Sequence, residues 1–136
     1  MASIFSKIIS GEIPCYKISE NENFFAFLDI NPLTKGHTLV VPKQETNYLF
    51  DLDDDLYKGL FLFSKKIAQA IKKVVPCRKV GIAVVGLEVA HAHIHLIPLN
   101  DVYDIDFKKP KLKIPQEEFI LIAQKIGDSF ARVNKP

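Results

Sequence analysis

Residues 91–98 read His91-Ala92-His93-Ile94-His95-Leu96-Ile97-Pro98, three histidines alternating strictly with apolar residues before a closing proline. No other stretch limits the fold so tightly. In an extended strand, alternate side chains share a face. His91, His93 and His95 then line one face, and Ala92, Ile94 and Leu96 the other. A helix would fan the imidazoles around its circumference and leave no coherent apolar side. The spacing predicts a strand whose histidine face is built for use.

Two chemistries suit such a face. Imidazole is a common neutral ligand for zinc, copper and nickel, and His37, which opens the segment His37-Thr38-Leu39-Val40-Val41-Pro42, is a candidate fourth ligand. A row of three on one strand, however, does not converge as metal ligands must. The alternative is phosphate chemistry. Neutral imidazole is a nucleophile, and its N–H groups donate to phosphoryl oxygens. His93 is flanked on both sides, as a nucleophile between two phosphate-binding groups would be. The residues alone leave both readings open.

The surrounding pattern predicts an α+β domain. Ile4, Phe5, Ile8 and Ile9 form one side of a short helix, with Ser3 as N-cap and Gly11 and Pro14 as its stop. Cys15–Ser19 and Phe24–Asp29 read as strands joined by a polar turn, the second apolar on both faces. Asn31–Gly36 is a loop leading to the His37–Pro42 strand. Leu56, Leu60, Phe63, Ile67, Ile71 and Val74 mark an amphipathic helix, with acidic residues at its start and lysines towards its end. Val80–Val85 reads as a buried strand. The five residues Gly86-Leu87-Glu88-Val89-Ala90 leave no room for a crossover helix, so this strand and the histidine strand are expected as antiparallel neighbours. Asn100–Lys113 reads as an extended basic linker. Phe119, Ala123, Ile126, Phe130 and Val133 mark a final helix, expected to pack on the same domain or on a partner subunit.

Bulk properties narrow the classes. At 136 residues the chain suits one domain with a real core. A net charge of +2 is too small for nucleic-acid binding by bulk attraction. No apolar run approaches membrane-spanning length, so no membrane partner is expected. The N-terminus lacks signal-peptide organisation. Cys15 and Cys77 show no ligand spacing, and free thiols in a cytoplasmic protein are expected.

The histidine run also matches the His-φ-His-φ-His-φ-φ signature, φ being apolar, of the histidine triad (HIT) family. Residues Ile4–Pro14, Phe25–Ile30 and Gly36–Lys43 resemble its other blocks in the right order. The likeness is to the HINT-like nucleotide hydrolase branch and covers residues 1–100, with 101–136 as linker and extra helix. It implies a five-stranded antiparallel sheet with packed helices, and a homodimer in which two sheets join. It implies hydrolysis at the α-phosphorus of a purine nucleotide or AMP conjugate, without a cofactor. On matched positions His93 is the nucleophile, His95 and His37 contact or orient the phosphate, and His91 supports them. Ile4, Phe5, Phe27, Leu28, Ile30 and Leu39 match the walls around base and ribose, Asp29 the group binding the ribose hydroxyls, and Glu88 and Val89 lie beside the nucleotide.

Two departures stand out. Many relatives carry a longer Gly-rich loop with Gly-Gln-Ser before the triad; here Glu88 falls near the serine that contacts the leaving group. A carboxylate there either repels phosphate or, if protonated, assists a leaving group, which keeps phosphoramidates and dinucleoside polyphosphates both open as substrates. Some relatives bind zinc through two cysteines and a histidine whose places are taken by Ser3, Ser6 and Glu45, so no family-type metal site is expected. A metal-binding histidine cluster and a non-catalytic nucleotide-binding module are the other classes in play.

Overall fold

A computed structural model describes residues 2–134. Eight elements run in the order α1 (Ile4–Ser10), β1 (Lys17–Glu20), β2 (Phe24–Leu28), β3 (Thr38–Pro42), α2 (Asp54–Val74), β4 (Lys79–Ala83), β5 (Ile94–Leu99) and α3 (Gln116–Val133). Short 3-10 turns occur at Leu49–Asp51 and Val102–Ile105. The strands form one antiparallel sheet in the order β1-β2-β3-β5-β4. This is the expected α+β architecture.

The sheet separates two apolar layers, and the pleat sorts residues between them. Phe24, Ala26 and Leu28 of β2, Val40 of β3, and Ile94 and Leu96 of β5 face a core completed by Leu60, Phe63, Ile67 and Ile71 of α2. The intervening Phe25, Phe27, Leu39 and Val41 join Phe5 of α1 in a smaller cluster on the other side. Both faces of β2 are therefore covered. The side with the smaller cluster carries the histidines.

Local signals explain the helix ends. The Asp53 carboxylate accepts the Leu56 N–H at 2.8 Å and caps α2. Ser3 caps α1 through Ser6 N–H, and Gly11 closes it at φ +88°. Phe119, Ala123 and Ile126 of α3 enter the main core of their own chain. There α3 meets β1 so closely that a Cβ on Gly127 would lie 2.8 Å from the Ile18 carbonyl oxygen.

Two strand expectations need correction. Val80–Val85 is not buried: β4 stops at Ala83 and forms a sheet edge, with Ile82, Val84 and Val85 exposed. The histidine strand begins at Ile94 rather than His91. Ala92 N–H goes to the Thr46 carbonyl and His91 N–H to Val89, so these backbone groups are spent outside the sheet. The expected linker also carries structure, since Asp101 and Asp104 form a reciprocal capping box around the Val102–Ile105 turn. Among the described residues, no helix is long and apolar enough to cross a membrane.

Candidate active site

The four histidines are buried, and their hydrogen bonds show which ring nitrogens donate and which accept. His93 Nδ1 lies 2.8 Å from the His91 carbonyl oxygen. A carbonyl can only accept, so Nδ1 carries the hydrogen and Nε2 keeps its lone pair. His37 Nδ1 accepts the Leu33 backbone N–H at 3.0 Å, which puts the His37 proton on Nε2. That Nε2–H donates to His95 Nδ1 at 3.0 Å, leaving His95 with its proton on Nε2. His91 donates from Nε2 to the Pro42 carbonyl at 2.8 Å, and its Nδ1 takes the Ser3 hydroxyl hydrogen at 2.7 Å.

Two backbone groups thus dictate opposite roles to neighbouring rings. His93 presents an acceptor nitrogen and His95 a donor, their ring centroids 4.9 Å apart. Burial, reinforced by the neighbouring His95, pushes the His37 pKa down to about 3. Burial and the neighbouring His93 bring His95 down to about 4. Burial also lowers His93, against the opposing effect of its bond to the His91 carbonyl. These three rings are therefore neutral near pH 7, as the assigned tautomers require.

His93 and His95 open onto a cleft of about 470 Å³. Ile4, Phe5, Phe27, Leu28, Asp29, Ile30, Leu39, Glu88 and Val89, all singled out in the sequence, line it together with His37. The Phe5 ring stands edge-on to Phe27 at 5.7 Å and to His93 at 4.9 Å. Asp29 Oδ1 accepts the Asn31 N–H at 2.8 Å, and Oδ2 lies 3.5 Å from His37 Nε2. Burial raises the Asp29 pKa, with the Asn31 bond opposing.

His91 does not line the cleft. Its ring is wholly buried beneath Phe5, at 5.8 Å between centroids, and its contribution to the site is the carbonyl that holds His93. Behind it, Ser3, Ser6 and Glu45 do come together. Glu45 Oε1 accepts the Ser3 N–H at 2.6 Å and the Ser6 hydroxyl at 2.7 Å, and Ser3 passes the chain on to His91. A hydrogen-bonded cluster thus ties α1 to the histidine segment.

The four histidines do not converge as one ligand set, because His91 is tied to Ser3 and Pro42. Among the described residues, the group able to hold a metal ion is Asp29, His37 and His95, whose ligand atoms lie within 4.8 Å of one another. In it, the facing nitrogens of His37 and His95 already share a proton.

Sequence reasoning missed part of the cleft. Ile8, Ile13, Pro14 and Cys15 extend its apolar wall. Phe107 and Lys111, from the segment read as a linker, close another side. The Phe107 ring packs edge-on to His95 at 4.8 Å and reaches His37 at 6.4 Å. One signal was available: Phe107 is a lone aromatic among Lys108, Lys109 and Lys111. A large apolar side chain in a basic stretch asks for something to pack against.

Comparison with known proteins agrees with this geometry. The HIT domain family model matches residues 10–102. An uncharacterised HIT-like protein of Borreliella burgdorferi is 39% identical over 132 residues, covering 91% of this chain and 95% of the relative. An adenosine 5'-monophosphoramidase of Schizosaccharomyces pombe is 34% identical over 130 residues, covering 93% and 97% respectively. The crystal structure of a hypothetical histidine triad nucleotide-binding protein from Sulfolobus tokodaii superposes with a TM-score of 0.82 at 28% identity, covering 96% of this chain and 93% of that one. With its triad, sheet order and blocks all in place, the chain belongs to the histidine triad (HIT) family.

Proposed function

We propose that this protein hydrolyses nucleoside monophosphate conjugates of the AMP phosphoramidate type, through a covalent nucleotidyl intermediate on His93. The observation that carries the reading is the hydrogen bond from His93 Nδ1 to the His91 carbonyl, which leaves Nε2 unprotonated at the cleft. That nitrogen attacks the α-phosphorus. A P–N bond forms to His93, the P–N bond to the leaving amine breaks, and the amine takes its proton from solvent water. The ring becomes cationic, and the His91 carbonyl dipole stabilises that charge. His95 Nε2–H donates to a phosphoryl oxygen, with His37 holding it in the donor tautomer. Water then attacks phosphorus and gives up a proton to solvent, the P–N bond to His93 breaks, AMP departs, and His93 returns neutral.

Apolar side chains such as Phe5, Phe27 and Leu39 offer walls for a base, and Asp29 offers carboxylate oxygens to ribose hydroxyls. Glu88, also on the cleft, favours a leaving amine, which is cationic once protonated, over an anionic polyphosphate. The S. pombe relative's name is consistent with this substrate class. The exposed apolar edge at β4, with Ile82, Val84 and Val85, supports pairing of two sheets in a homodimer.

The test is hydrolysis of an AMP–lysine conjugate by wild type and by His93→Ala. Turnover by wild type with loss in the variant is expected. Equal hydrolysis by both overturns the assignment.

A further inference from the structure

We infer that Lys111, carried to the cleft by the segment after β5, is a specificity-determining residue whose ammonium pairs with the phosphate of a bound nucleotide. The inference rests on the nucleotide reading above and adds to it a cation that the triad does not supply.

Among the described residues lining the cleft, Lys111 is the sole lysine or arginine, whereas Asp29 and Glu88 contribute carboxyl groups. His37, His93 and His95 are neutral near pH 7. A nucleotide phosphate entering without Lys111 would meet acidic groups and uncharged rings. Neutral donors can orient an anion, but they do not offset its charge.

Lys111 Nζ lies 5.8 Å from the centroid of the Phe107 ring, and that ring packs on His95. The ammonium therefore belongs to the histidine end of the cleft. Its field reaches His37 and His95, adding to the fall in their pKa values, and Asp29, where it opposes the rise caused by burial. It forms no ion pair among the described residues; its partners are the carbonyls of Phe107 at 2.6 Å and Lys109 at 3.4 Å. A full charge held only by carbonyls remains available to an anion.

The segment that carries Lys111 is held in place by the protein itself. The Asp101–Asp104 capping box holds its start, and Leu112 N–H donates to the Pro32 carbonyl at 2.9 Å just beyond Lys111. Lys35 pairs with Glu118 at 2.7 Å, tying the start of α3 to the loop before His37. Little ordering is then needed to present the ammonium.

The experiment is calorimetric titration of the full chain with AMP and with adenosine, for wild type, Lys111→Met and Lys111→Arg. Expected is an AMP affinity about tenfold weaker in Lys111→Met, partly restored in Lys111→Arg. Adenosine affinity should stay within about twofold throughout, and AMP binding by Lys111→Met should depend less on salt. An AMP affinity unchanged in Lys111→Met overturns the inference and leaves the nucleotide reading standing. Equal loss of AMP and adenosine binding also overturns it, by showing a merely structural role. Wild-type protein that binds neither ligand overturns the nucleotide reading and this inference together.

Discussion

Acidification should destabilise this protein well above the range in which its carboxylates titrate. His37 is about 1% and His95 about 8% exposed, and burial holds their pKa values at about 3 and about 4, against an ordinary 6.5. In the unfolded chain both rings return to the ordinary value. Between pH 6.5 and 4 the unfolded chain thus binds protons that the native state refuses. Stability is full above pH 6.5 and falls with pH through this window. A pH of 5 lies 1.5 below the unfolded pKa of either ring, and the pair together costs about 3–4 kcal/mol relative to pH 7.5. His93, also lowered, adds in the same direction. Asp29 opposes at lower pH, because its raised pKa lets the native state take up a proton first. The measurement therefore stays at or above pH 5. Urea unfolding at pH 7.5, 6.5 and 5.0 reads the effect, and His37→Gln should show roughly half the pH dependence. An unfolding free energy flat to within about 1 kcal/mol between pH 7.5 and 5 would refute the claim that these rings are held neutral by burial.

Two further outcomes probe the supports of the site. Ser3→Ala removes both the α1 cap and the hydroxyl that serves buried His91; urea denaturation should show a loss of about 2 kcal/mol. Gly127→Ala favours helix by about 1 kcal/mol in isolation, yet here its Cβ would press on the Ile18 carbonyl at 2.8 Å. The thermal midpoint should therefore fall rather than rise.

The sequence displayed the helices and the triad, but not which ring nitrogens donate and which accept. The stripe Leu60, Phe63, Ile67 and Ile71 marked α2 because one helix face meets one sheet face, a local periodicity that needs no tertiary knowledge. Alternation put His93 and His95 on one face, and both line the cleft. It did not reveal that the His91 carbonyl holds the His93 ring, because that follows from a backbone that leaves the sheet before Ile94. Nor could it show that Leu33 N–H sets the polarity of His37 and His95, since backbone donors carry no sequence signature. Ser3, Ser6 and Glu45 were marked by position, and their convergence became visible only once α1 was docked. Val80–Val85 looked buried because it is apolar; nothing within it says that it lies at an edge. Phe107 and Lys111 were lost in a basic stretch whose return to the cleft depends on the Asp101 capping box and the Pro32 contact.

The central claim is that His93 Nε2 becomes bonded to phosphorus. Intact-mass spectrometry of the protein mixed with a slowly turned-over AMP conjugate, quenched during turnover and followed by peptide mapping, tests it directly. The account predicts one added adenylyl group on the peptide containing His93, and none in His93→Ala. Turnover without any adduct, or an adduct on another residue, would contradict it.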